Sequence, residues 1–165
     1  MTTLIIDFNT KAVYADSRTT QSQDGNETIR FDDNALKIFN IEDKILAGVG
    51  CAEVLSKVRD NLLLSNNFNF IPKTKREATI YLVSKKGDAI EVEEYTTKKK
   101  SWLTGYYSWS RVYKQLSTKD SWITDGSGGD YAAGALKQGA TPEEAINVAS
   151  MLDEYTNNVV QKIEL

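Results

Sequence analysis

Short runs of β-branched and apolar residues, each bounded by turn chemistry, recur along the chain and predict a series of hairpins. Leu4-Ile5-Ile6-Asp7-Phe8 and Ala12-Val13-Tyr14-Ala15-Asp16 flank Asn9-Thr10-Lys11, which has turn character. With a three-residue loop, Leu4 is expected opposite Asp16 and Thr2 opposite Arg18. Thr2 and Asp16 then become diagonal neighbours on one face of the sheet. Residues 19–31 are polar around Asp24-Gly25-Asn26 and read as a loop or a weak hairpin. Residues 36–41 and 44–50, around Glu42-Asp43-Lys44, predict a second β pair. Residues 78–83 and 89–95, around Lys86-Gly87-Asp88, predict a third.

Helical spacing appears in between. Val54, Leu55, Val58 and Leu62 form one apolar face within 53–63. Asn66-Asn67-Phe68-Asn69-Phe70-Ile71-Pro72 ends that helix in irregular chain. Ser121-Trp122-Ile123-Thr124 is a short strand leading into Asp125-Gly126-Ser127-Gly128-Gly129-Asp130-Tyr131. A helix over 131–138 follows, closed by Gly139. The glycine-rich loop lacks the lysine and spacing of a P-loop. Thr141-Pro142-Glu143-Glu144 is a capping box with proline in the first turn, opening a helix to about residue 154. Its buried face is Ala145, Ile146, Val148, Ala149 and Leu152; residues 155–158 break it, and 159–165 return as a strand. The order of strands, helix, strands, two helices, strand predicts a layered α+β architecture. At 165 residues, one domain spanning 1–165 is expected.

Composition narrows the chemistry. The chain has no histidine, which removes histidine-dependent triads and most zinc sites and leaves Thr, Ser, Lys, Asp and Glu as candidate catalytic groups. The single cysteine, Cys51, cannot form an internal disulfide and agrees with a reducing compartment. No apolar run approaches a membrane span, and no signal-peptide pattern opens the chain, so a cytoplasmic location and no membrane partner are expected. A net charge of -3 offers nucleic acid no global attraction. Lys98-Lys99-Lys100 followed by Trp102, Tyr106, Tyr107, Trp109, Arg111, Tyr113 and Lys114 has the elements of a stacking surface for single strands or a cover for a partner. Such segments more often pack their aromatics on their own domain, and nucleic acid is not expected as the ligand.

The candidate nucleophile is Thr2. Removal of Met1, which a small second residue permits, leaves a hydroxyl and a free α-amine on one residue. An unperturbed α-amine titrates near ~7.7 to 8.0, close enough to neutrality to accept the hydroxyl proton. With Met1 attached that nitrogen is an amide and cannot act as a base. Lys37 lies on an otherwise apolar strand face with Phe39 and Ile41. Its stem either packs on the sheet with the ammonium in solvent, or its charge is held beside the nucleophile. Gly48-Val49-Gly50-Cys51-Ala52, at a strand-to-helix junction, presents N–H groups suited to an oxyanion, or serves only as a tight turn.

These residues resemble the proteasome β-subunit family of N-terminal nucleophile (Ntn) hydrolases, HslV-like members above all. The motifs are Met1-Thr2-Thr3 with Ala15-Asp16-Ser17-Arg18, Lys37-Ile38 before Ile45-Leu46-Ala47-Gly48, Gly126-Ser127-Gly128-Gly129-Asp130-Tyr131-Ala132, and Tyr155-Thr156-Asn157. The resemblance implies a four-layer αββα sandwich and a threonine-type endopeptidase acting on polypeptides. It implies Thr2 as nucleophile, Asp16 and Lys37 as the residues that tune it, Ser127 and Asp153 as holders of the amine and catalytic water, and Thr156 beside them. Gly50 or Cys51 would donate the oxyanion N–H. Carbonyls at Ser150, Asp153 and Thr156 would bind a sodium ion, with no other cofactor required. Self-association into a ring around a chamber and feeding by an ATP-dependent unfoldase are implied as well. Against the family pattern, one helix of the usual pair is reduced near Pro72, and the segment near 96–120 reads as an insertion. The alternative is a catalytically inactive subunit of the same fold that assembles or binds partners.

Overall fold

A strand with apolar side chains on both faces needs cover on both sides, and that requirement organises the chain into layers. The computed structural model describes residues 2–22, 29–65, 74–116 and 122–165. Strands β1 (Leu4–Asp7), β2 (Ala12–Asp16), β3 (Thr19–Ser22), β4 (Ile29–Asp32), β5 (Ile38–Ile41) and β6 (Lys44–Gly50) precede helix α1 (Ala52–Ser65). Strands β7 (Ala78–Lys86), β8 (Ala89–Lys100), β9 (Tyr107–Leu116) and β10 (Trp122–Asp125) follow, then α2 (Gly129–Lys137), α3 (Pro142–Leu152) and β11 (Val160–Glu164). A four-stranded sheet in the order β10-β1-β2-β11 faces a five-stranded sheet in the order β5-β6-β7-β8-β9, and β3 pairs with β4 apart from both.

Alternation assigns each side chain to a layer. Leu4, Ile6, Val13 and Ala15 meet Ile45, Ala47, Tyr81 and Val83 between the sheets. Leu46, Ile80 and Leu82 face outward onto Val54, Leu55, Val58 and Leu62 of α1. Ile5, Ala12 and Tyr14 face the other way, onto Ala132, Ala145, Ile146 and Ala149 of α2 and α3. The result is the expected αββα sandwich. Among the described residues, α1 is the one helix on its outer face; Asn66 to Pro72, Met1, the Asp24-Gly25-Asn26 turn and Ser121 lie outside the described residues.

Local signals are realised with small shifts. Thr141 caps α3 through the full capping box with Glu144, and Pro142 opens the helix. Helix α2 starts at Gly129 rather than Tyr131, and Gly139 at φ 93° follows its end. Val148 and Leu152, expected in the core, are instead exposed. Within the segment near 96–120, residues 96–116 complete a long hairpin: β8 runs on past Tyr95 to Lys100 and pairs with β9 as the edge of the five-stranded sheet, and 117–120 lie outside the described residues.

Candidate active site

The first hairpin sets the site, and its register differs from expectation by one residue. Leu4 pairs with Ala15, and Asp7 with Ala12, so the loop is Phe8 to Lys11 rather than three residues. The cause is local. The Asp7 carboxylate accepts from Asn9 N–H at 3.0 Å and Thr10 Oγ at 2.7 Å, closing an Asx turn, and Lys11 takes a left-handed φ of 53°. Asp16 therefore lies opposite Thr3, not diagonal to Thr2. Its N–H donates to the Thr3 carbonyl at 3.1 Å, and its carboxylate accepts from Thr3 N–H at 2.7 Å.

Asp16 is completely buried and accepts from four donors. One oxygen takes Thr3 N–H and Lys37 Nζ at 2.8 Å. The other takes Arg18 N–H at 2.9 Å and Asn157 N–H at 3.4 Å. Lys37 is also buried, 3% exposed, and it precedes β5 instead of lying inside it. Strand alternation therefore does not dictate its direction. Its backbone N–H is held by Gln161 of β11 at 3.0 Å, and its side chain turns to Asp16 instead of the α1 face where Phe39 and Ile41 pack. Burial pushes the Lys37 ammonium below its ordinary pKa, and the Asp16 charge pulls it part of the way back. The solvent-reaching alternative for Lys37 is thereby set aside.

Thr2, itself 3% exposed, shares a cleft of about 370 Å³ with Lys37, Leu36, Val49, Gly50 and Leu55. Of the two oxyanion candidates, Cys51 is already committed, because its N–H donates to the Glu77 carbonyl at 3.2 Å. Gly50, opposite Ala78 at the end of β6, lines the cleft and is left as the candidate donor. Gly50 cannot be another residue: φ is 97°, and a Cβ would stand 2.7 Å from the Glu77 carbonyl oxygen.

The loop after β10 closes over residues 2 and 3. Leu4 pairs with Asp125 at the end of β10, where the loop begins. A Cβ on Gly126 would lie 1.9 Å from the Thr2 carbonyl oxygen, and one on Gly128 would lie 2.0 Å from Thr3 Oγ. Beneath them, Ser127 Oγ and Thr156 Oγ both donate to one Asp153 oxygen, at 2.6 and 2.7 Å. Thr156 has thus spent its proton, and Thr3 Oγ is the donor in the 2.7 Å contact between the two threonines. Behind Gly126, its N–H donates to Asp125, whose other oxygen accepts from Tyr81 at 2.7 Å.

Lys37, held by Asp16, thus lines the cleft with Thr2 and Gly50, while Ser127, Asp153 and Thr156 form one network reaching Thr3. The Ser150 hydroxyl stays apart, donating to the Asn147 carbonyl at 2.7 Å. Backbone oxygen is the donor type a hard monovalent cation takes, and Ser150 lies in the last turn of α3, where carbonyls lack a following helical N–H. The Asp153 carbonyl accepts from Thr156 N–H at 3.1 Å and keeps a second lone pair. By type, the Ser150 and Asp153 carbonyls suit such an ion. The expectations did not include roles for Thr3, Asn157 or Gln161. A threonine beside the candidate nucleophile and an asparagine after Thr156 were visible, but only the fold brings Asn157 N–H to Asp16 and Asn157 Oδ1 to Ser17 N–H, at 3.4 and 3.0 Å.

No family model matches the sequence, and no curated protein does. Solved structures do. The chain is similar to eukaryotic HslV from Trypanosoma brucei at 15% identity and a TM-score of 0.59, over 98% of this chain and 97% of that one. It is similar to Thiobacillus denitrificans BPH, solved in complex with epoxomicin, at 14% identity and a TM-score of 0.59, over 98% and 96%. The shared architecture is the αββα sandwich.

Proposed function

We propose that the protein is a threonine-type peptidase subunit that hydrolyses peptide bonds through Thr2 once Met1 is removed. The observation that supports this reading most strongly is the convergence of Thr2, Lys37 and Gly50 on one cleft, with the Lys37–Asp16 ion pair buried at its side. In the acylation step the α-amine takes the Thr2 Oγ proton as Oγ adds to the scissile carbonyl. Gly50 N–H donates to the developing oxyanion, and the Lys37 ammonium lowers the cost of negative charge on Oγ. Collapse of the adduct breaks the C–N bond; the leaving amine carries off the proton from the α-ammonium, and an ester remains on Thr2. Water, losing a proton to the same amine, then splits the ester and restores the hydroxyl. Ser127, bonded to Asp153, would hold the amine and that water.

The reading extends to a sodium ion held by the carbonyls of Ser150, Asp153 and Thr156, which would stiffen the 153–156 corner. It also includes self-association around a chamber, polypeptide delivered by an ATP-dependent unfoldase, and work in the cytoplasm. The test is intact mass spectrometry of the purified protein before and after an epoxyketone, which reacts with a free amine and hydroxyl on one residue. Loss of Met1 and an adduct on Thr2, absent from Thr2→Ala, are expected. Retained Met1 without an adduct would instead favour the inactive assembly subunit.

A further inference from the structure

Two surface regions of this molecule are both apolar and exposed, and they carry opposite charge. The first is the tip of the β8–β9 hairpin. Its loop is held in place: Ser101 N–H donates to the Tyr106 carbonyl and Gly105 N–H to the Ser101 carbonyl, each at 2.8 Å. The base is anchored by Tyr107, whose N–H donates to the Thr74 carbonyl at 2.9 Å and whose hydroxyl donates to Glu77 at 2.8 Å. At the apex of this ordered loop Trp102 is 94% exposed and Leu103 77%. An apolar apex kept rigid in water is a docking element, because little ordering cost remains at binding.

The second region lies on the far outer layer. Between α2 and α3 runs an open groove of about 660 Å³, walled by Tyr131, Ala135, Val148 and Leu152 with Asp130 at its edge. Tyr131, Val148 and Leu152 are exposed there, which is why the expected burial of the last two fails. Charge follows the same division. Residues 98–114 carry Lys98, Lys99, Lys100, Arg111 and Lys114 and no acid, whereas 129–155 carry Asp130, Glu143, Glu144, Asp153 and Glu154 against Lys137 alone. Arg111 pairs with Glu93 and Asp153 is buried in the Ser127–Thr156 network, so the contrast rests on the lysines of the hairpin and on Asp130, Glu143, Glu144 and Glu154.

We propose that the β8–β9 tip of one copy docks head to tail into the α2–α3 groove of a second copy. Trp102 and Leu103 enter between Tyr131, Val148 and Leu152, and the basic flanks of the hairpin meet Asp130 and the neighbouring glutamates. Trp102 supplies the kind of large anchor that dominates interfaces. The contact is heterologous, joining different patches, so repetition builds a ring or a filament instead of a closed dimer. It is independent of whether Thr2 is a nucleophile.

Sedimentation velocity on the full chain tests this. Three forms suffice: wild type, a tip variant (Trp102→Ser with Leu103→Ser) and a groove variant (Val148→Glu with Leu152→Glu). Wild type is expected to assemble, and each variant to associate roughly tenfold or more weakly while keeping its circular dichroism spectrum and melting behaviour. An equimolar mixture of the two variants should recover a 1:1 dimer and nothing larger, since it retains one intact tip and one intact groove. Should the groove variant unfold, Asp130→Lys takes its place, and Lys98→Glu in the same chain should restore assembly. A monomeric wild type, unaffected tip variants, or a mixture that stays monomeric would each overturn the proposal.

Discussion

At the N-terminal corner, a wholly buried carboxylate accepts from four donors; at the β8–β9 tip, a tryptophan stands almost entirely in water. Both are costly in isolation, the first through desolvation of charge and the second through hydration of apolar surface. The corner offsets its cost internally. Lys37, Thr3, Arg18 and Asn157, from separate parts of the chain, all donate to Asp16. The tip has no such internal compensation for Trp102, while backbone bonds from Ser101 to Tyr106 and from Gly105 to Ser101 close its turn. A region satisfied from within is built to position its own groups, whereas an ordered region left apolar outside is built for something that arrives later.

The comparison breaks most readily at Lys37. Lys37→Met removes the one cation bonded to a fully buried Asp16 and should destabilise the fold by about 3–5 kcal/mol in urea denaturation, together with loss of any Thr2 adduct. A loss below 1 kcal/mol would mean that the other three donors satisfy Asp16 alone. Gly128→Ala is next. Its φ of -88° suits alanine, so the effect is steric: the new Cβ meets Thr3 Oγ, and a cost of about 1–3 kcal/mol is expected.

Between the two regions, the five-stranded sheet buries Tyr95, whose phenol is pushed up to about 12 by burial and by its bond to Glu93. A proton held more tightly in the fold stabilises it below the ordinary tyrosine pKa, and that share is lost as pH rises through about 12. Tyr95→Phe should flatten this alkaline fall in denaturation midpoints without removing it, because burial raises Tyr81 as well. The smallest effect belongs to the tip. Trp102→Ser should leave the stability of the single subunit within about 0.5 kcal/mol, as measured in dilute solution where copies do not meet. A larger loss would show that the tip supports its own domain and would erase the contrast.

Much of the architecture was legible locally. Turn residues, β-branched runs and the spacing of Val54, Leu55, Val58 and Leu62 depend on neighbours a few positions away, as does the capping box at Thr141. The first hairpin shows where that legibility stops. Its strands were visible, yet its register turned on how the Asp7 side chain closes the loop, and one residue of slip moved Asp16 from Thr2 to Thr3. The basic aromatic segment was equally visible as a composition, but which of its aromatics face solvent depends on pairing with β8.

By itself, the sequence determined the layers, the absence of histidine chemistry and a threonine at the second position, because residue type and short-range spacing suffice for those. Tertiary structure alone decided that Lys37 turns to Asp16, that the Cys51 N–H is taken by Glu77, and that Asn157 closes the network. Each depends on atoms more than twenty residues apart in sequence, brought together by the meeting of two sheets, and no local periodicity encodes such a meeting.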